Sequence, residues 1–267
     1  MIDNPRSPRV RGVAKLAKRD ARSQTGRLLL EDPQAVSEAL AFRPELIEEL
    51  FVTPTALDRY QDIGRAAREV DLEVEFVTEQ VLEAMADTVT PQGVLAVARQ
   101  FPTSLKEILA AEPRLIAILE EVRDPGNAGT IIRAADSAGA DAVILTGRSV
   151  DLYNPKVVRA TTGSLFHVPV AIMPELDDVL ERVKAAGIQV LAADIKGEDL
   201  LSARPSLAAP TAWLFGNEAR GLSDEQLALA DRAITVPIYG KAESMNLATA
   251  ASVCLYESAF AQRSATA

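Results

Sequence analysis

Residues 115–133 read Leu115-Ile116-Ala117-Ile118-Leu119-Glu120-Glu121-Val122-Arg123-Asp124-Pro125-Gly126-Asn127-Ala128-Gly129-Thr130-Ile131-Ile132-Arg133. The unbroken apolar run over 115–119 is what a parallel strand covered on both faces requires. A glycine-bearing turn follows and opens a helical pattern over 127–138, which sets Arg133 near the end of its second turn. Strand, turn and helix in this order belong to a mostly parallel sheet, whose ligands sit at the carboxyl ends of its strands.

Working outward, further strands are predicted at 142–145, 168–172, 189–192, 211–215 and 233–236, with helices over 175–186, 223–230 and 244–261. Upstream lies a smaller α/β/α pattern. Val10, Val13, Leu16 and Ala17 recur at helical spacing; strands are predicted at 28–30, 46–52, 73–77 and 93–98, and helices at 33–41, 55–70 and 79–85. Pro102 and Pro113 bracket a short segment that reads as a linker. The expected domains are therefore 1–100, a linker over 101–113, and 114–267. Two domains also suit 267 residues at about 150 per domain.

Hydrophobic residues at 48% and charged residues at 25% are globular values, and an apolar stretch of ~18 residues, which a membrane span needs, is absent from the sequence. The basic N-terminus has no apolar segment behind it, so it does not read as a secretory signal. Cys254 is the single cysteine and cannot form an internal disulfide, which suits a reducing cytoplasm. Its apolar neighbours predict a buried, inert thiol. The lone histidine, His167, and the absence of a second cysteine leave no donor set for zinc, so no metal is expected.

The net charge of -10, taken whole, disfavours nucleic acid, but its distribution does not. Arg6, Arg9, Arg11, Lys15, Lys18, Arg19, Arg22 and Arg27 face only Asp3 and Asp20 within the first thirty residues. A polyanion would be met by this local patch. On charge alone, a solvated basic helix face explains the run equally well.

Nucleotide signatures fail. No GxGxxG follows the first strand of either half, and Gly240-Lys241 is followed by Ala242, so there is no phosphate loop. Instead, polar residues cluster after three strands: Asp124 to Arg133, Gly216-Asn217-Glu218-Ala219-Arg220-Gly221-Leu222, and Pro237 through Leu247 with Lys241, Glu243, Ser244 and Asn246. Taken singly, each is a turn, with Asn127 and Ser244 as helix N-caps, Glu218 as a loop charge and Arg133 as a surface base. At three strand ends of one sheet, they read together as a site.

These three segments resemble the motifs of the SpoU (TrmH) family of RNA ribose 2'-O-methyltransferases. Arg22 to Glu31 and Thr90 to Val97 are similar to the family's N-terminal RNA-binding domain, and Asn154 to Gly163 to another family segment. The resemblance implies a C-terminal α/β domain with a deep trefoil knot and helices on both sheet faces. It also implies S-adenosylmethionine as cofactor, held by Gly216, Val236, Ile238 and Met245 largely through backbone groups, and a homodimer with sites completed near the interface.

The resemblance places Arg133 in the base role with Asn127 beside it. Guanidinium ordinarily stays protonated, so two roles are open: proton withdrawal aided by an RNA phosphate, or electrostatic stabilisation of the developing alkoxide. Glu218 would orient Arg133 or offset the sulfonium, while Ser244 and Asn246 would bond ribose or cofactor. Lys15, Lys18, Arg19 and Arg22 would grip RNA phosphates, with Arg159 a further phosphate ligand or else a structural ion pair. The implied substrate is 23S ribosomal RNA, and some family members confer resistance to ribosome-targeting antibiotics. Transfer RNA is the alternative substrate, and a non-catalytic RNA-binding or ribosome-assembly protein the alternative class.

Overall fold

The computed structural model describes residues 1–265. Up to Arg99 the chain forms α1 (Pro8–Ala14), α2 (Arg19–Thr25), β1 (Arg27–Leu30), α3 (Pro33–Phe42), β2 (Ile47–Val52), α4 (Pro54–Arg59), α5 (Gln61–Glu69), β3 (Val74–Phe76), α6 (Glu79–Met85) and β4 (Val94–Arg99). Next come α7 (Leu105–Ala110), β5 (Leu115–Glu120), α8 (Pro125–Ala138), β6 (Ala142–Thr146) and α9 (Pro155–Thr161). The remainder is β7 (Val170–Met173), α10 (Leu176–Ala185), β8 (Gln189–Asp199), α11 (Leu200–Ala203), β9 (Thr211–Phe215), α12 (Asp224–Leu229), β10 (Arg232–Thr235) and α13 (Leu247–Ala265). The chain divides into two compact units: Met1–Phe101 with Asp151–His167, and Pro102–Val150 with the residues from Val168 onward.

The first unit holds a four-stranded sheet in the order β1-β4-β2-β3, antiparallel except for β2 and β3. Leu29, Phe51, Leu95 and Val97 point to one face and pack with Val10, Val13, Leu16, Val81, Leu82 and Met85. Leu28 and Leu30 are also fully buried, because strand alternation sends them into a second apolar layer on the other face. The single helix expected over 55–70 breaks at Tyr60 (φ -116°, ψ 56°). The basic helical pattern breaks as well: Lys18 is extended (φ -96°, ψ 137°) and separates a 3-10 turn at Lys15–Ala17 from α2. Asp151–His167 falls outside the second unit, unlike the expected boundary at 114. Its Phe166 ring stacks on Phe101 at 5.5 Å, and the Phe101 amide donates to the Tyr153 hydroxyl at 2.9 Å.

The second unit is an all-parallel six-stranded sheet in the order β10-β8-β9-β5-β6-β7. Every residue of central β5 is buried, as its apolar run demands. Residues 101–113 are not the expected linker. Ser104 and Glu107 form a capping box on α7, and Leu105 and Ile108 enter the core of this unit, so the segment's apolar face is committed to packing. Strand β8 also runs past the expected end at 192, with a register shift opposite Ala233 and Ile234. Across the sheet lies α13, where Trp213 Nε1 donates to Ser258 Oγ at 2.8 Å. Cys254 on this helix is buried, and desolvation pushes its thiol up to about 12, so no reactive thiolate forms at neutral pH.

Candidate active site

The loops leaving β5, β9 and β10 meet in the second unit. Asp124 caps α8 by accepting from the Asn127 amide at 2.7 Å, with Pro125 pre-set for the first turn. Because Asp124 is the cap, the Asn127 side chain is released for other partners. Its Nδ2 donates to Glu218 Oε1 at 3.4 Å and its Oδ1 accepts from Asn246 Nδ2 at 3.0 Å. Asn246, and not Ser244, accepts from the Thr249 amide (3.2 Å) at the start of α13.

Glu218 joins the pieces. Its carboxylate accepts from the Asp124 amide at 2.9 Å and the Arg123 amide at 3.2 Å, beside the positive end of α8. Asn217 Nδ2 donates to the Glu121 carbonyl at 2.8 Å, a second tie between the same two loops. Each of the three polar segments thus supplies one member of a Glu218–Asn127–Asn246 chain.

A cavity of about 330 Å³ opens against this chain, lined by Gly216, Glu218, Val236, Ile238, Ser244 and Met245. Its volume is in the small-molecule range. Asp194 and Ile195 complete another wall. Sequence reading missed them because β8 was ended at 192, although polar residues leaving a strand were the signal used elsewhere. Gly216 has no room for a side chain: a Cβ there would stand 2.6 Å from the Gly221 carbonyl carbon. The Asn127 and Asn246 side chains are tied to Glu218 on the cavity wall but, like Arg133, do not line it. Arg133 is exposed on α8, one turn before Ser137.

Residues 114–256 match the SpoU rRNA Methylase family, and residues 33–104 match the RNA 2'-O ribose methyltransferase substrate binding domain. The chain belongs to the SpoU methylase family. It is 32% identical over 261 residues to the 23S rRNA (guanosine(2553)-2'-O)-methyltransferase RlmP of Bacillus subtilis, covering 96% of this chain and 97% of that one. It is 33% identical over 256 residues to a 23S rRNA (uridine(2479)-2'-O)-methyltransferase of Streptomyces viridochromogenes, covering 91% and 86%. Among solved structures, an AdoMet-bound rRNA methyltransferase from Sinorhizobium meliloti superposes with a TM-score of 0.82 at 30% identity, covering 96% of each chain.

Within this SpoU chain the basic residues divide by environment. Lys15, Lys18 and Arg19 are exposed. Arg22 is not available to a phosphate: it is 2% exposed, donates to the Leu16 and Ala17 carbonyls at 2.8 Å, and pairs with Asp151 at 2.5 Å. Arg159 is likewise held in an ion pair, with Glu31 and at 3.5 Å with Asp87. Glu31 is buried and needs a countercharge, which gives Arg159 a structural role, while 30% of its side chain stays exposed.

Near the cavity, burial pushes the Glu120 carboxyl upward, opposed by hydrogen bonds from Thr146 and Gln226. Glu120 was not among the expected site residues; a single acidic residue closing an apolar strand carries little signal in sequence.

Proposed function

We propose that this SpoU protein transfers a methyl group from S-adenosylmethionine to a ribose 2'-hydroxyl of 23S ribosomal RNA, in the cytoplasm. The observation that carries the reading is the cavity that gathers Gly216, Val236, Ile238 and Met245 around Glu218. Its residues fit that cofactor. Apolar side chains suit an adenine face, the crowded Gly216 lets backbone groups approach, and Glu218 and Asp194 offer acceptors to ribose hydroxyls and a countercharge to a sulfonium. When bound, the sulfonium supplies an electrophilic methyl for in-line displacement by the ribose oxygen.

The chain's own residues divide the remaining work. Glu218 fixes the α8 N-terminus relative to the cavity wall, and Asn127 and Asn246 hold the loop before α13 in register with it. Ser244, on the wall, offers a hydroxyl to ribose or cofactor. Arg133 supplies positive charge to the developing alkoxide and to the RNA phosphate. We place it at a homodimer interface, where it would face the partner's cavity. Thr249, Val253, Tyr256 and Phe260 recur at helical spacing on α13. Tyr256 and Phe260 are 37% and 58% exposed with their rings in contact, and the Tyr256 hydroxyl donates to the carbonyl of Ser137, one turn from Arg133. A second copy of the chain would cover this stripe. Phe260→Glu is expected to convert a dimer to a monomer in size-exclusion chromatography with light scattering; an unchanged mass would remove α13 from the interface.

The exposed Lys15, Lys18 and Arg19 would hold RNA phosphates. Reversing Lys18 and Arg19 to glutamate should weaken ribosomal RNA binding and reduce the slope of log K against log salt by about 0.7–0.9 per lost phosphate contact. An unchanged slope in filter binding would rule these two out.

Calorimetry with S-adenosylmethionine, followed by transfer of labelled methyl to total RNA and mapping of the product, tests the whole reading. Label in 23S ribosomal RNA is expected; label confined to transfer RNA would overturn the substrate, and absence of donor binding the reaction.

A further inference from the structure

A second cavity of about 290 Å³ shares Asn217, Arg220 and Gly221 with the first and is otherwise lined by Glu120, Glu121, Ser223 and Gln226. Its least expected member is Glu120, a carboxylate 6% exposed at the end of an apolar strand. Thr146 Oγ1 donates to Glu120 Oε2 at 2.5 Å and Gln226 Nε2 donates to Oε1 at 2.9 Å. Gln226 is itself fixed, since its Oε1 accepts from the Ser223 amide at 2.9 Å in the capping box of α12. Each Glu120 oxygen therefore has one donor and, with about two lone pairs apiece, one acceptor position left. One remaining acceptor position on each oxygen of a fixed, buried carboxylate suits two adjacent N–H donors.

RNA offers that pattern on one base edge. The guanine Watson–Crick edge presents N1–H and N2–H side by side. Adenine and cytosine set an acceptor beside their amino group, and uracil flanks its N–H with two carbonyls, so each would bring an oxygen or nitrogen lone pair against the carboxylate. Arg220, paired with Glu121, stands at the wall shared by the two cavities, where a guanidinium plane can stack on a base. The volume suits one heterocycle.

We infer that this second cavity recognises a guanine of the RNA substrate through the Glu120 carboxylate, close to the ribose that receives the methyl group. The inference rests on the reading of the neighbouring cavity as the methyl-donor site. It makes Glu120 a specificity residue that touches the base and takes no part in methyl transfer.

The probes are fluorescently labelled pentaribonucleotides, four adenosines around a central guanosine or inosine, titrated into the full chain with saturating S-adenosylmethionine and read by anisotropy. Inosine lacks only the N2 amino group. The guanosine probe is expected to bind about tenfold more tightly than the inosine probe. In Glu120→Gln, whose amide turns a donor toward the base, that preference should vanish. The comparison on the wild-type chain stands even if the variant fails to fold, and Arg220→Ala should weaken both probes equally. Equal binding of the two probes to wild type, no measurable binding of either at millimolar concentration, or a retained preference in folded Glu120→Gln overturns the inference. Donor binding is measured in parallel by calorimetry: donor bound without guanine preference sinks this inference alone, whereas no donor bound sinks the methyltransferase reading.

Discussion

Replacing Arg133 by alanine is expected to lower methyl transfer to RNA by about 10²–10³-fold, the scale seen when one preorganised electrostatic group is removed from a reaction centre. Affinity for S-adenosylmethionine should be unchanged, because the contacts proposed for Arg133 are to the ribose oxygen and the RNA phosphate and not to the donor. Thermal unfolding of the same variant checks that the fold is kept. Arg133→Lys asks whether a point charge is enough or the planar fork is needed. A cation survives in lysine and a fork that must grip phosphate bidentately does not, so partial recovery indicates that charge alone suffices. Single-turnover transfer of labelled methyl, with calorimetry on the same preparations, reads both quantities. Full activity in the alanine variant would end the assignment.

Gly216→Ala is expected to act in the opposite way, on the donor before the chemistry. An added Cβ would lie 2.6 Å from the Gly221 carbonyl carbon, 2.7 Å from its oxygen and 2.8 Å from Leu222 Cγ. Two of these are backbone atoms that cannot rotate aside. Overpacking of this kind costs about 1–3 kcal/mol, and the displaced Asn217–Gly221 loop would narrow the cavity it lines. A lowered midpoint in thermal unfolding together with weakened donor binding is the expected pair of results. Gly240→Ala is the control on a neighbouring loop, because a Cβ there meets nothing within 4 Å. If the two variants behaved alike, close approach at Gly216 would not be what shapes the cavity.

What the sequence disclosed followed the physics of each signal. The apolar run of β5 has one reading, because only a strand buried on both faces tolerates it, and its companions set the sheet. The residues expected around the donor, Gly216, Val236, Ile238 and Met245, do line one cavity, since strand ends in such a sheet converge by topology. Arg22 shows the limit. Helical spacing marks it as basic and says nothing of Asp151, its half-buried partner 129 positions along the chain. The pairing of Arg159 with Glu31 was hidden in the same way, because long-range ion pairs leave no periodicity. Residues 101–113 hold two opposed signals. The flanking prolines suggest a linker, while Ser104 and Glu107 carry the spacing of the capping box that forms.

The hydrogen bond from Asn246 to Asn127 carries a further consequence for timing during synthesis. Leu247 and Ala250 line the cavity as well, and all three lie at or beyond the threshold of the last helix. A nascent chain still short of these residues already contains β5, α8 and the Asn217–Gly221 loop, yet has no closed pocket. Catalytic competence therefore waits for the start of α13, and a chain synthesised only as far as β10 could not modify RNA.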